Sequence, residues 1–547
     1  MDRSAAASGA SMQNEGLYSR FVARPAHAVW RGLRSAWSWT YQYFTQQSAT
    51  EDESTAVTEH FIPLAGYSAA VGAMALRFLV DVISVTLISA VSDEEDASAI
   101  VGTGLTVLFL VLAPAGMMLY RFQPVLSDGY RHNALLKPWT TTLMAALTLS
   151  VFSFALLAPS KQLLQVLHND EHVIEGATLM IHQYLYAGGP LFFLSNVLGI
   201  VASNAAESSH FDVMANGARA VALLSLSAWY LTAKELEAIR GFASAFALAG
   251  MLPSAIHTGL LFYKHRDKLH RIGPRGQLVK ESLVDSFKLL YAAIPYAGSA
   301  IFETGSFAVI FNVLAPPHGV ATLKALNGYS TLRMLFVLPL GLAGQYKVNL
   351  AVYLQASHKD LKKIQQVTRS YFRSTLLWAV VGNTLCVSIA PYFAPLYHAE
   401  ESYFSRANMS LWCVGIVFDT LKSVGEGWLR GIDKSLVGMG TNALAFTQLP
   451  IYCYLLLARG LGFKSFPLAY CLSQLVAGSG AWLLIAYYLK YRLPQQYRPT
   501  EVPLQTIETA LQVGVAPVLH IERLTAPLTE TFSDERDQRP RLMISSV

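Results

Sequence analysis

Hydrophobic residues are gathered into long runs separated by short polar stretches, for example over 105–120, 376–396 and 468–489. A bilayer core about 30 Å thick is crossed by roughly 20 residues of apolar helix. Lipid offers no partner for backbone polar groups, so only helices and closed barrels can span it. Barrel strands alternate over about ten residues, and these runs do not alternate. The pattern therefore predicts an all-α membrane protein.

The apolar runs divide into twelve predicted transmembrane spans, numbered here along the chain. The spans are expected near 61–90, 98–121, 136–158, 173–203, 211–231, 237–263, 286–313, 320–350, 374–397, 404–429, 435–458 and 465–490.

The connecting segments carry an uneven charge that predicts orientation. The segments after spans 2, 6 and 8 are rich in Lys and Arg, whereas the one after span 1, VSDEEDA, is acidic. Basic loops stay in the cytoplasm. We therefore expect both termini in the cytoplasm of a cell whose plasma or inner membrane holds the protein. The segment after span 4 is not basic and the one after span 11 carries Arg459 and Lys464, so two loops depart from the rule.

The two halves of the chain resemble each other. Val125 and Val348 follow spans 2 and 8 in similar segments and are 223 residues apart, and Phe193 and Phe418 in spans 4 and 10 are 225 apart. A near-constant offset indicates duplication of a six-helix unit. Parallel repeats of this kind are related by an axis along the membrane normal, with substrate bound between them.

These patterns divide the chain into five predicted parts. The N-terminal extension is expected to start disordered and to form an amphipathic helix near 19–45, where arginines are interspersed with Trp and Phe. The predicted parts are a cytoplasmic extension at 1–57, an N-lobe with spans 1–6 at 58–265, a cytoplasmic linker at 266–285, a C-lobe with spans 7–12 at 286–492, and a cytoplasmic tail at 493–547.

Composition agrees with this interpretation. Of 547 residues, 53% are hydrophobic and 14% charged, against about 25% charged in soluble domains. The four cysteines lie inside apolar segments without metal-ligand spacing, so neither a disulfide nor a metal site is predicted.

Three acids stand out inside the predicted spans: Asp81 in span 1, Glu303 in span 7 and Asp419 in span 10. A charge at mid-bilayer costs about 2.5–3.5 kcal/mol on insertion scales, so such residues face the bundle interior and are functional by default. A desolvated carboxyl exchanges a proton, Na⁺ or a cationic substrate. The alternative is a structural ion pair, for which Arg77 lies one turn from Asp81 and Lys422 one turn from Asp419.

Two further bases, Arg333 and Lys347, are placed in span 8. We expect them near its ends, where long side chains extend their charge to the membrane surface.

The segments around the three acids resemble the multidrug and toxic compound extrusion (MATE) family. LVDVISVTLISA in span 1 is similar to LVDTVMVGRLG of that family, and AIPYAGSAIFETGSFAVI in span 7 to GLPIGLQLLLESGAFAL. FDTLKSVGEGWLRGIDKS in span 10 is similar to FDALQVVLSGALRGAGDT, with Asp419, Gly427, Leu429, Arg430 and Gly431 in register. The resemblance covers residues 60–490, and it implies two pseudo-symmetric six-helix bundles with coupling acids at Asp81, Glu303 and Asp419.

The chain departs from the family pattern at two places. Lys422 stands where the family has Gln, three residues from Asp419. In span 5, ANGARAVAL retains Asn216, but Arg219 and Leu223 replace a family Asn and Asp. The replacements in span 5 make a coupling site in the N-lobe doubtful. We expect Lys422 to be held between Asp419 and Glu303, where it acts as a tethered counter-ion; the alternative is that the C-lobe has lost ion coupling.

Three functions compete. The leading hypothesis is a secondary antiporter that exports cationic or amphipathic organic compounds in exchange for H⁺ or Na⁺ and needs no cofactor. An alternative is a flippase or exporter of lipid-linked or anionic solutes, which the bases Arg77, Arg219 and Lys422 favour. A third is a non-transporting receptor or scaffold on a degenerate transporter fold.

The expected partners are the lipid bilayer and a small-molecule substrate. We expect a monomer that binds no nucleic acid. The sequence has no phosphate-binding glycine loop and no nucleophile elbow, so an enzyme is not predicted.

Overall fold

The computed structural model describes residues 64–91, 96–167, 170–206, 209–233, 236–266, 275–397 and 399–497. The described secondary structure is helical, and it includes no strand. The N-terminal extension with its predicted helix at 19–45, and the tail beyond residue 497, lie outside the described residues.

Each of the twelve predicted spans is helical, and each observed helix keeps the number of its span. The helices are Leu64–Val91 for span 1, Ala97–Leu119 for 2, Leu136–Leu157 for 3, Glu171–Tyr186 with Gly189–Ala205 for 4, Ser209–Leu231 for 5, Leu236–Ala249 with Met251–His265 for 6, Ile294–Val309 for 7, Val320–Ser357 for 8, Leu361–Ile389 for 9, Arg406–Gly431 for 10, Ser435–Ala458 for 11 and Ser465–Tyr487 for 12. A helix at Arg275–Ala292, which starts inside the predicted linker, leads into span 7.

Span 4 is bent, because its two helices meet at 64° around Gly188. The backbone of Gly188 has φ 78°, a left-handed conformation that glycine adopts without strain, and Pro190 follows at the start of the second helix.

Nine of the described helical segments are long and apolar enough to cross a membrane, and the bent span 4 makes ten. The two predicted spans that fail this test are spans 5 and 10. They carry Asp212 and Arg219 in span 5, and four ionisable residues between 419 and 430 in span 10. Arg219 and the four residues of span 10 form the ion pairs described below, and Asp212 lies 2.8 Å from His257 of span 6.

The helices of the two lobes pack in the same order. In the N-lobe the packed pairs are spans 1 with 5, 5 with 6, 4 with 6, 2 with 4, 3 with 4 and 2 with 3. Adding six to each number gives pairs that pack in the C-lobe. Between the lobes, span 1 packs on span 8, and span 2 packs on span 7. These two contacts are also equivalent, because span 1 corresponds to span 7 and span 2 corresponds to span 8. The packing confirms the predicted pseudo-symmetric architecture of two six-helix bundles.

The lobes touch at both membrane faces. At the face that carries the segment after span 1, Asn327 Nδ2 donates to the Ser98 carbonyl at 3.0 Å, and Lys324 lies 3.4 Å from Asp96. At the opposite face the rings of Tyr120 and Tyr346 stack with centroids 4.0 Å apart. Between these two sets of contacts lies a cavity.

Candidate functional site

The cavity between the lobes has a volume of about 1500 Å³, counting the space open to solvent. Aromatic rings form much of its wall, and four ionisable side chains line it. The charged lining residues are Arg77, Glu303, Arg333 and Glu426, and the aromatic ones include Phe78, Phe109, Phe193, Phe307 and Phe311. Such a wall suits an amphipathic organic molecule with a charged group.

Arg333 joins two of the predicted acids. Its guanidinium Nη2 lies 2.5 Å from Glu303 Oε1 and 2.7 Å from Asp419 Oδ2, and its Nε donates to the same Asp419 oxygen at 2.9 Å. The Tyr470 hydroxyl also donates to Asp419 Oδ2, at 2.7 Å. Spans 7, 8, 10 and 12 thus meet in one polar network.

The two acids of this network differ in access. Glu303 lines the cavity, and its side chain is 23% exposed. Asp419 is fully buried behind Arg333. The network therefore presents one carboxylate and one guanidinium to a solute, while the second carboxylate holds the guanidinium in place.

Lys422 neutralises the other oxygen of Asp419. Its Nζ lies 2.9 Å from Asp419 Oδ1, donates to Gln474 Oε1 at 3.1 Å, and sits 3.9 Å above the ring of Phe446. The amine thus has the Asp419 partner that we predicted. The base that bridges Asp419 and Glu303 is Arg333, which takes the place predicted for Lys422.

The prediction that Arg333 lies near an end of span 8 was wrong. The helix runs from Val320 to Ser357, so Arg333 lies well inside it, and the residue is buried. Acids from two other helices satisfy its charge, so the side chain does not need to reach the membrane surface. Sequence spacing gave no signal, because both partners lie outside its own helix.

In the N-lobe, Asp81 pairs with Arg219. The Arg219 Nη2 and Asp81 Oδ1 atoms are 2.6 Å apart, and both side chains are buried. Arg219 also donates from Nη1 to the carbonyl of Arg77 at 3.3 Å. The predicted partner of Asp81, Arg77, instead places its guanidinium over the rings of Phe78 and Phe193, facing the cavity.

Glu426 is a cavity acid that sequence reasoning missed. Its Oε2 accepts hydrogen bonds from Arg430 Nη2 at 3.2 Å and from Gln345 Nε2 at 3.3 Å. The Arg430 guanidinium in turn lies over the ring of Tyr296. The signal was present, since Glu426 and Arg430 stand one turn apart in a helix that is otherwise mainly apolar.

Solved structures with this fold are MATE transporters. The chain aligns with an inward-facing multidrug resistance MATE family transporter of the MOP superfamily at 14% identity and a TM-score of 0.58, covering 78% of this chain and 99% of the other. The chain also aligns with an outward-facing multidrug resistance MATE family transporter of the MOP superfamily at 14% identity and a TM-score of 0.62, covering 81% of this chain and 100% of the other. The alignment with the eukaryotic MATE transporter AtDTX14 has 16% identity and a TM-score of 0.60, and it covers 79% of this chain and 96% of the other.

These likenesses confirm the resemblance seen in the sequence motifs at the level of the fold: the chain has the fold of MATE transporters. No protein-family model and no curated protein sequence matches the chain.

Proposed function

We propose that the protein is a membrane transporter that carries an anionic amphipathic organic solute through the cavity between its lobes. The observation that supports this most is Arg77, a base on the cavity wall that forms no ion pair with a described residue. The ionisable residues in the cavity wall and directly behind it are the acids Asp81, Glu303, Asp419 and Glu426 and the bases Arg77, Arg219, Arg333, Lys422 and Arg430. A further buried acid, Asp212, lies 2.8 Å from His257.

Ion pairs account for every one of these residues except Arg77. Asp81 pairs with Arg219 and Glu426 with Arg430, while Glu303 and Asp419 share Arg333 and Lys422. Within the described residues, no acid lies within ion-pair distance of Arg77, and its guanidinium lines the cavity, where an anion can reach it. A guanidinium set among aromatic rings suits a carboxylate, sulfonate or phosphate attached to an apolar body.

A second candidate is the antiporter of organic cations coupled to H⁺ or Na⁺. It is favoured by the acids at the three positions where the family has coupling acids, and by the exposure of Glu303 to the cavity. An organic cation would have to displace Arg333 from Glu303, whereas an anion would bind Arg77 without breaking any of these ion pairs. The geometry therefore supports the anionic solute better.

Dye release from proteoliposomes distinguishes the two candidate functions. We expect faster release of carboxyfluorescein, an anionic amphipath, than of ethidium, an organic cation. The Arg77→Gln variant should slow carboxyfluorescein release by about tenfold, since a charged hydrogen bond is lost, and Arg77→Lys should recover part of the rate.

Arg240→Gln is the matched control for Arg77→Gln. Arg240 is a half-exposed arginine paired with Glu237, and its replacement should leave the release rates of carboxyfluorescein and ethidium unchanged. Faster ethidium release that Glu303→Gln abolishes would favour the cation antiporter. Release of neither dye by folded protein would favour the receptor or scaffold alternative.

The proposed orientation has its own test. A cysteine at Glu94, in the segment after span 1, should react with a membrane-impermeant maleimide added to intact cells. The four native cysteines are buried, so they should not react. Labelling only after permeabilisation would reverse the predicted orientation.

A further inference from the structure

Five exposed bases lie at one end of spans 9 and 12, at the membrane face predicted to be cytoplasmic. They are Lys362, Arg369 and Arg373 of span 9, and Lys490 and Arg492 in the helical turn that extends span 12. The sequence over 361–397 and 462–497 contains no Asp or Glu. Within the part of the chain that the structure describes, none of the five bases forms an ion pair.

Other bases at this face are neutralised by acids of the chain. Arg121 lies 3.2 Å from Asp433. Lys137 lies 3.3 Å from Glu281 and 3.1 Å from Asp285. The end of spans 9 and 12 differs from these sites, because its positive charge is left for a ligand outside the chain.

The three bases of span 9 share one face of the helix, and that face continues into lipid. Lys362, Arg369 and Arg373 are spaced by seven and four residues, which aligns them along the helix. Further along the same face, Leu377 and Val380 are about half-exposed. A face that turns from basic to apolar fits a phospholipid, whose headgroup and acyl chains follow in the same order.

The length of span 9 places these bases at the height of the headgroups. Its helix, Leu361–Ile389, has 29 residues and is about 43 Å long at about 1.5 Å per residue. The hydrocarbon core is about 30 Å thick, so about nine residues of the helix extend beyond it. With the Ile389 end level with the opposite surface of the core, Lys362 and Arg369 lie in this extension. Arg373 lies within one turn of it, from which a long side chain reaches the headgroups.

Aromatic side chains join spans 9 and 12 beside the bases. The rings of Phe372 and Trp482 meet edge to face with centroids 4.6 Å apart, and we call this contact the seam. Arg373 follows Phe372 directly, and Lys490 lies about two turns beyond Trp482 toward the same membrane face. Lys490 Nζ also lies 5.2 Å from the centroid of the Tyr491 ring. The bases of both helices therefore flank one seam.

We propose that the seam binds the headgroup of an anionic phospholipid from the adjoining leaflet. The lipid phosphate accepts hydrogen bonds from Arg369 and Arg373, and Lys490 and Arg492 add positive charge from span 12. The acyl chains lie along the apolar part of the span 9 face. Basic pockets between membrane helices on the cytoplasmic side bind such headgroups. This binding does not depend on the solute in the central cavity, so failure of either proposal leaves the other intact.

The test is made on binding, with the purified full-length protein in detergent. Its melting temperature is measured against the amount of added phosphatidylglycerol, an anionic lipid, or of phosphatidylcholine with the same acyl chains. We expect a saturable rise with phosphatidylglycerol and a smaller one with phosphatidylcholine, because a ligand of the folded state stabilises it. Sodium phosphate supplies the anion without acyl chains, and we expect no saturable rise from it.

Two double variants assign the effect to the seam. Arg369→Gln/Arg373→Gln should weaken the apparent affinity for phosphatidylglycerol by about tenfold or more, because each base near an anionic lipid contributes to binding. Lys490→Gln/Arg492→Gln should weaken it in the same direction, and it remains informative if the first variant fails to fold.

The control is Arg459→Gln/Lys464→Gln, which removes two exposed bases at the opposite membrane face and should keep the affinity. Equal stabilisation by the two lipids, or a preference for phosphatidylglycerol that survives both seam variants, would overturn the site. An equal loss of affinity in the control would assign the effect to net charge and reject the seam. Stabilisation by sodium phosphate that matches phosphatidylglycerol would assign the bases to a soluble anion and reject the lipid.

Discussion

Replacing Arg333 with methionine should destabilise the folded protein by about 3–5 kcal/mol, the cost of removing one partner of a buried ion pair. Arg333 is the bridge between Glu303 and Asp419. Without it, Glu303 loses its basic partner, and Asp419 keeps only Lys422. The measurement is equilibrium or thermal unfolding of the purified protein in detergent.

A second substitution tests whether an unpaired charge causes the loss of stability in Arg333→Met. In the double variant Arg333→Met/Glu303→Gln, Lys422 still neutralises Asp419, and no carboxylate is left without a base. We expect the double variant to recover most of the lost stability. Arg240→Gln, which breaks an exposed pair with Glu237, should cost no more than about 1 kcal/mol. A double variant no more stable than Arg333→Met would attribute the loss to packing instead of charge.

Replacing Gly427 with alanine should also destabilise the protein, by about 1–3 kcal/mol or more, because it forces two helices apart. A Cβ on Gly427 of span 10 would lie 2.7 Å from the Cα of Gln345 in span 8. One turn later, a Cβ on Gly431 would meet Val352 of the same helix at 2.8 Å. The two glycines form a GxxxG stripe, which allows close approach of membrane helices.

Gly440 is the matched control for Gly427. It lies inside span 11, and a Cβ there would meet no described heavy atom of another helix within 4 Å. Because alanine is the better helix former, Gly440→Ala should stabilise the protein by about 0.5–1 kcal/mol. Unfolding of the two variants side by side measures the difference. Equal effects would show that the contact between spans 8 and 10 is looser than the backbone distances indicate.

The helices were predictable because lipid restricts the backbone to few solutions. Hydropathy alone locates the ten segments that meet the membrane criteria. Spans 5 and 10 were also predicted from their apolar runs, but their charges keep them outside those criteria. The three acids were also predictable, because an isolated carboxyl in an apolar run stands out.

The partners of those acids were not predictable from spacing. The i,i+4 rule pointed from Asp81 to Arg77, yet the observed partner, Arg219, lies on another helix. Arg333 is 30 residues from Glu303 and 86 from Asp419 in sequence, so only the packing of spans 7, 8 and 10 brings the three together. Charge pairing between helices depends on tertiary contacts, which one sequence does not encode at fixed intervals.

The order of the paired helices along the chain has a consequence for biosynthesis. Each charged residue in a span adds about 2.5–3.5 kcal/mol to the cost of membrane insertion. Arg219 emerges from the ribosome after Asp81 of span 1, and Asp419 after Arg333 of span 8. Since chains are made from the N-terminus, each lobe delivers the later member of the pair, span 5 or span 10, to a bilayer that already holds the counter-charge. The insertion machinery can therefore release spans 5 and 10 as members of pairs, although neither would be stable in lipid alone.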